Sequence, residues 1–219
     1  MRKKSVYSSD TYKLSVEDLL KLKKAHDYEE QDEVVVFLGN PKHNEDDVLL
    51  SGYETLKKAH AEGIFYVQTK LAYRNYRFLS GFFVNLLKFV KRNNYQEGRH
   101  IYRMDFDSIM ENDVLRGERN LENAYSLSSN VEIPETEDRR KEFMKLYDAI
   151  KENGYDIGFP MIILLNRKLG IKDQVLQGHH RAGICKELGV KEISVVFWGA
   201  PRSLGFMMLI YRILRLFRK

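Results

Sequence analysis

Apolar positions along the chain follow two different periods. Runs that suit buried strands lie at Glu33–Leu38, Val48–Leu50, Phe65–Thr69, Ile101–Phe106, Phe159–Asn166, Gln174–Gln177 and Glu192–Phe197. Between them, segments at Ser15–His26, after Gly52, at Thr136–Asn153 and after Gly178 carry apolar residues three and four apart. Thr136 suits the N-cap of the third helix and Gly154 its stop. The chain reads as a mixture of strands and helices, an α+β protein.

The pattern repeats. With a shift of 126 residues, Val35-Val-Phe-Leu-Gly-Asn40 lies over Met161-Ile-Ile-Leu-Leu-Asn166, and Asp47-Val-Leu-Leu-Ser-Gly52 over Asp173-Gln-Val-Leu-Gln-Gly178. Gly63-Ile64 then lies over Gly189-Val190. Each copy reads helix, strand, loop, short strand, helix and strand. Residues 1–70 form the first, degenerate copy and 101–198 the second, with a connecting helix over 71–100 and a tail at 199–219. Residues 101–135 add one strand and a polar, acid-rich loop to the second copy.

Charge separates these parts. The net charge is +5, from 36 basic and 31 acidic residues. Residues 199–219 carry Arg202, Arg212, Arg215, Arg218 and Lys219 without an acid. Residues 71–99 carry six basic side chains against Glu97, also +5, which leaves the rest at −5. Both basic segments are apolar at helical spacing, with Phe78, Phe82, Phe83, Leu86 and Val90 in one and Phe206, Met207, Leu209, Ile213 and Phe217 in the other. A helix over 203–219 spans about 25 Å at ~1.5 Å per residue, short of the ~30 Å of a bilayer core. The pattern reads as an amphipathic helix on an anionic membrane surface for 203–219, and the same reading extends to 74–92. A core or dimer helix with snorkelling arginines is the alternative. A nucleic-acid face would not need so many large apolar residues.

The single cysteine, Cys185, excludes an internal disulfide and fits a reducing compartment. Met1-Arg-Lys-Lys4 leads into Ser-Val-Tyr-Ser-Ser-Asp rather than an apolar run, which is not a secretory signal. The expected location is cytoplasmic, peripheral at the inner face of the membrane.

The strongest chemical signal is the turn Gln177-Gly-His-His-Arg181 between a strand and a helix. Amides of a first helical turn and the helix dipole favour an anion. Gly178 admits a phosphate close to the backbone. Arg181 adds bidentate contacts, and His179 and His180 can donate to phosphate or shuttle a proton. A plain turn with a surface His-His-Arg is the equal alternative. A zinc site needs three or four ligands, and two adjacent helical histidines point apart. Cys185 reads as a packed small side chain rather than a nucleophile. The matching turn of the first copy, Gly52-Tyr-Glu-Thr55, lacks the histidines and arginine, and Glu54 is expected to repel an anion.

The strand 160–165, the turn Gly178-His-His-Arg181 and Leu188-Gly-Val-Lys-Glu-Ile-Ser-Val-Val-Phe197 together resemble the ParB/sulfiredoxin superfamily. Residues 101–197 as a whole follow its N-terminal domain. The resemblance implies a ParB/sulfiredoxin-like fold whose turn binds nucleotide phosphates. The Gly-His-His-Arg form is similar to the small-molecule kinase branch, where an Asp usually precedes the glycine; here it is Gln177. The cysteine of the sulfinate reductases is replaced by His179; the segregation clamps typically show Gly-Glu-Arg-Arg and continue into a helix-turn-helix, where this sequence has His179-His180 and about twenty residues after the domain, so that branch is not the one expected. The resemblance thus implies a phosphotransferase using ATP (or ADP or CTP) with Mg2+. Gln177, Gly178, His179, His180 and Arg181 would hold the nucleotide. Glu111 or Glu118, with His180, would serve an acceptor hydroxyl on a small molecule or membrane-associated glycan. Arg116 and Arg119 are further candidate contacts. Two alternatives are a nucleotide-binding protein without catalysis and a DNA-associated ParB-like protein.

Overall fold

The computed structural model describes residues 6–41, 44–74, 99–112, 137–165 and 173–199. The basic helices expected at 74–92 and 203–219, and the loop with Arg116, Glu118 and Arg119, lie outside these residues, except that Arg74 ends a strand. The strands are β1 (Val6–Ser15), β2 (Lys23–Lys24), β3 (Val34–Leu38), β4 (Val48–Ser51), β5 (Tyr66–Arg74), β6 (Tyr102–Asp105), β7 (Met161–Leu165), β8 (Gln174–Gln177) and β9 (Glu192–Gly199). The helices are α1 (Val16–Leu20), α2 (Tyr53–Ala61), α3 (Asp107–Glu111), α4 (Glu137–Asn153) and α5 (His179–Leu188). The protein is therefore mixed α+β. Its strands form one mixed sheet in the order β2-β4-β3-β5-β1-β6-β9-β7-β8.

Two elements differ from the sequence pattern. The helix expected over Ser15–His26 is only Val16–Leu20, and the ten residues before it form β1. Tyr12, Leu14 and Val16 are all buried at a spacing of two, and this alternation outweighs the helical spacing of the leucines that follow. At the other end of the first copy, β5 continues to Arg74 and includes Leu71, where the connecting helix was expected to start.

The two copies build equivalent halves. In one, β3 pairs antiparallel with β4 and parallel with β5; in the other, β7 pairs antiparallel with β8 and parallel with β9. Both antiparallel pairs carry a bulge. The helix ends match as well: Ile64 N–H donates to the Ala59 carbonyl at 2.9 Å, and Val190 N–H to the Cys185 carbonyl at 2.9 Å. β1 and β6 are the equivalent leading strands. They meet antiparallel at Leu14 and Met104, which places a pseudo-two-fold axis between them.

Contacts across that axis come in reciprocal pairs. The Tyr12 hydroxyl donates to buried Asp173 at 2.7 Å, and the Tyr102 hydroxyl donates to Asp47 at 2.6 Å. The Lys13 amide donates to the Ser108 hydroxyl at 2.8 Å, and the Arg103 amide to the Asp18 carboxylate at 2.9 Å. Tyr66 and Glu192, themselves 126 residues apart, hydrogen-bond to each other. In the strand order, Tyr12 and Asp173 are four neighbours apart, roughly 19 Å in a flat sheet. Their contact means that the sheet folds over, so the halves face one another. One hydrophobic core, including Leu14, Val36, Leu71, Met104, Ile163 and Phe197, fills the space between them. Tyr12 and Tyr102 both pack on the ring of Phe197, at 4.9 and 6.0 Å.

Candidate functional site

The Gly178 turn is shaped by close packing. β8 ends where β7 begins, and a Cβ on Gly178 would lie 2.9 Å from the Met161 side chain. Gly178 also holds φ 101° and ψ 17°, in the left-handed region that glycine tolerates best. The helix starts at once: the Ala182 amide donates to the Gly178 carbonyl at 2.8 Å.

The side chains of the turn are partly committed. The His180 ring meets the Phe143 ring of α4 edge-on, with centroids 5.8 Å apart. Arg181 folds back toward β7. It donates to the Phe159 carbonyl through Nη1 and to the Pro160 carbonyl at 3.4 Å through Nη2. The Tyr155 hydroxyl also donates to the Phe159 carbonyl, at 2.7 Å, and burial raises its pKa. This places the backbone of Phe159, an exposed residue, beside the turn. His179, His180 and Arg181 are half-buried and Gln177 is exposed. Cys185 is buried, and burial pushes its thiol up to about 12, the behaviour of a packed side chain rather than a thiolate nucleophile.

The other half contains the same turn in a filled form. Gly52 holds φ 87° and ψ 20° before α2. The Tyr53 amide donates to the Tyr28 hydroxyl at 2.8 Å, and the Glu54 amide donates to the Glu30 carboxylate at 3.1 Å. The Tyr28 hydroxyl donates to the same carboxylate. The hydrogen bond from Tyr28 holds Glu30 below the ordinary carboxylate range, with help from the Glu54 amide and from Lys24 and Lys57. Glu54 was expected to repel an anion here. Its side chain instead pairs with Lys57 at 2.8 Å, and an internal anion sits on its amide.

Of the expected catalytic carboxylates, Glu111 ends α3 and pairs with Lys13 of β1 at 2.6 Å. That hydrogen bond raises the Lys13 pKa. The contacts of Glu111 and those of the turn share no residue: one set lies on β1, the other on Phe143, Phe159, Pro160 and Met161. Glu118 lies outside the described residues. Among the described residues, no group of three or more His, Cys, Asp or Glu side chains is placed to hold a metal ion. Magnesium at a nucleotide is held by one or two carboxylates together with the phosphates, and no step is assigned to it here.

Sequence reasoning missed Glu30 and Tyr28, which sit in a polar stretch without periodicity. It also missed the Tyr155–Phe159–Arg181 network, because two of its bonds end on a backbone carbonyl. Protein-family models, curated proteins and solved structures give no match to this chain.

Proposed function

We propose that the Gly178–Arg181 turn binds the phosphate groups of a nucleotide. One observation carries this reading: the equivalent turn at Gly52 holds a carboxylate on the second amide of its helix, that of Glu54, supplied by Glu30 of the same chain. A backbone built this way accepts an anion. The Gly178 copy has no carboxylate in its first helical turn and adds two histidines and an arginine. The resemblance to the ParB/sulfiredoxin superfamily supports a nucleotide as the source of the anion.

The Gly-His-His-Arg form favours phosphoryl transfer, from ATP or a related nucleotide to a hydroxyl. A second reading is nucleotide binding without transfer. Gln177 in place of an acid, and the commitment of Glu111 to Lys13, favour that one. Membrane association through 203–219, and through 74–92, belongs to the same proposal and would bring a membrane-associated acceptor close. Among the described residues, no helix is long and apolar enough to cross a membrane.

Calorimetry with ATP, ADP, CTP and GTP, with and without magnesium, tests the reading on wild type and Arg181→Ala. Saturable binding that the variant weakens at least about tenfold, about 1.4 kcal/mol, supports it. Absence of binding to all four overturns it. Release of labelled phosphate to a hydroxyl acceptor then separates transfer from binding alone.

A further inference from the structure

A cleft of about 300 Å³ opens away from the Gly178 turn, in the seam between the two halves. Three segments line it: 21–23 after α1, 45–47 before β4, and 99–100 before β6. Its size is at the lower end for small-molecule sites. Leu22 is its one apolar side chain. Among the described residues the lining is otherwise charged or imidazole, unlike the glycine turn.

The charges are arranged by segment. Lys21, Lys23, Arg99 and His100 line it together with Glu45, Asp46 and Asp47, and Lys21 also pairs with Asp18 at 3.0 Å. Several of these groups are held in place. The Asp47 carboxylate accepts from the Gly39 amide at 2.8 Å and from the Tyr102 hydroxyl at 2.6 Å. The His100 ring packs against that of Tyr102 at 4.6 Å. The Arg99 guanidinium donates to the Phe197 carbonyl at 3.4 Å and lies 5.8 Å from the Trp198 ring. Lys23 and Asp46 face each other at 3.7 Å, both largely exposed, a pair whose direct attraction is weak in water. A ligand that meets each with its own opposite charge would replace one poor pair by two close ones.

From this arrangement we infer that the cleft binds a small zwitterion, with its anionic end toward Arg99 and Lys23 and its ammonium end toward Asp46 and Glu45. A ligand of one charge sign would meet side chains of its own sign as well as of the opposite one. Lysine and arginine in two of the lining segments favour a carboxylate or phosphate at the anionic end, and the volume limits the whole to about the size of an amino acid.

The test uses the full chain and five probes in calorimetry: serine and phosphoethanolamine as zwitterions, acetate and inorganic phosphate as anions, and ethylamine as a cation. Both zwitterions, or one of them, are expected to bind at least about tenfold more tightly than any singly charged probe. Arg99→Gln and Asp46→Asn are each expected to weaken that binding at least about tenfold, about 1.4 kcal/mol, while leaving the circular dichroism spectrum unchanged. Zwitterions that bind no better than acetate, phosphate or ethylamine overturn the inference. Binding unaffected by either substitution, or no binding at all, also overturns it. Lys23→Gln, at an exposed side chain of the same cleft, provides a second variant should one of these changes disturb the fold, with the same tenfold loss expected.

Discussion

Removing one hydroxyl tests the reciprocal contacts between the halves. In Tyr102→Phe the ring stays and the donor to Asp47 at 2.6 Å is lost. Asp47 keeps the Gly39 amide on its other oxygen, but one oxygen of this half-buried carboxylate then loses its protein donor. Hydrogen bonds to charged groups contribute about 1.5–3 kcal/mol, and a buried acceptor left unpaired loses at least as much. A loss of about 2 kcal/mol corresponds to a fall of roughly 4–8 °C in Tm for a chain of this size. The pH dependence gives a second signature. Burial raises the Asp47 pKa, and the Tyr102 hydroxyl, the Gly39 amide, His100 and Arg99 offset part of the rise. The folded state therefore binds the Asp47 proton more tightly than the unfolded state. This group's contribution to stability is greatest below the unfolded pKa of about 3.9 and declines as pH rises through the folded pKa. Without the Tyr102 donor the folded pKa rises further, so the penalty of the substitution grows from acid to neutral pH. Urea denaturation at several pH values measures both effects. A penalty under about 0.5 kcal/mol, the level of an inert surface change, would refute the reasoning. So would a penalty that shrinks toward neutral pH.

Other expectations follow from the same geometry. Tyr12→Phe should cost a similar amount in denaturant melts, because Tyr12 holds buried Asp173 at 2.7 Å in the equivalent place. Gly52→Ala should lower stability more than Gly178→Ala. Both place alanine in the left-handed region, at about 1–2 kcal/mol, but the new Cβ would meet the Val34 backbone at 2.6 Å in the first case and the flexible Met161 side chain at 2.9 Å in the second. Thermal melts of the two variants decide the order. Cys185 should resist iodoacetamide in the folded protein at mildly alkaline pH and react in denaturant, since its thiol is pushed up to about 12; mass spectrometry reads the difference. Truncation after Gly199 should abolish co-sedimentation with anionic vesicles if the tail is the membrane contact, and retained sedimentation would transfer that role to another segment.

Much of the fold was legible because its signals are local. The glycines at 52, 63, 178 and 189 mark helix ends in both copies, and all four have positive φ. The buried run Met161–Leu165 reads as a strand from its apolar side chains alone. β1 has little sequence signal because Ser8–Thr11 interrupts its apolar positions, and the partners of Tyr12 and Leu14, Asp173 and Met104, are far along the chain. The first copy looked degenerate for the same reason: its leading strand and its Tyr28–Glu30 cap lie outside the aligned segments. The turn at Gly178 was readable from residue types, but the backbone carbonyls that hold Arg181 have no sequence signature. Glu111 has only its order along the chain to mark it, and its Lys13 partner comes from a strand 98 residues away.

Nuclear magnetic resonance of the backbone amides during a titration with ATP tests the central claim most directly. Bound phosphates should shift the amides of Gly178, His179, His180 and Arg181 strongly. Tyr53 and Glu54, already occupied by Tyr28 and Glu30, should stay in place. Saturating shifts confined to residues 178–181 and their packing partners would support a nucleotide-phosphate site. Shifts centred on residues 52–54, or none at the Gly178 turn, would contradict it.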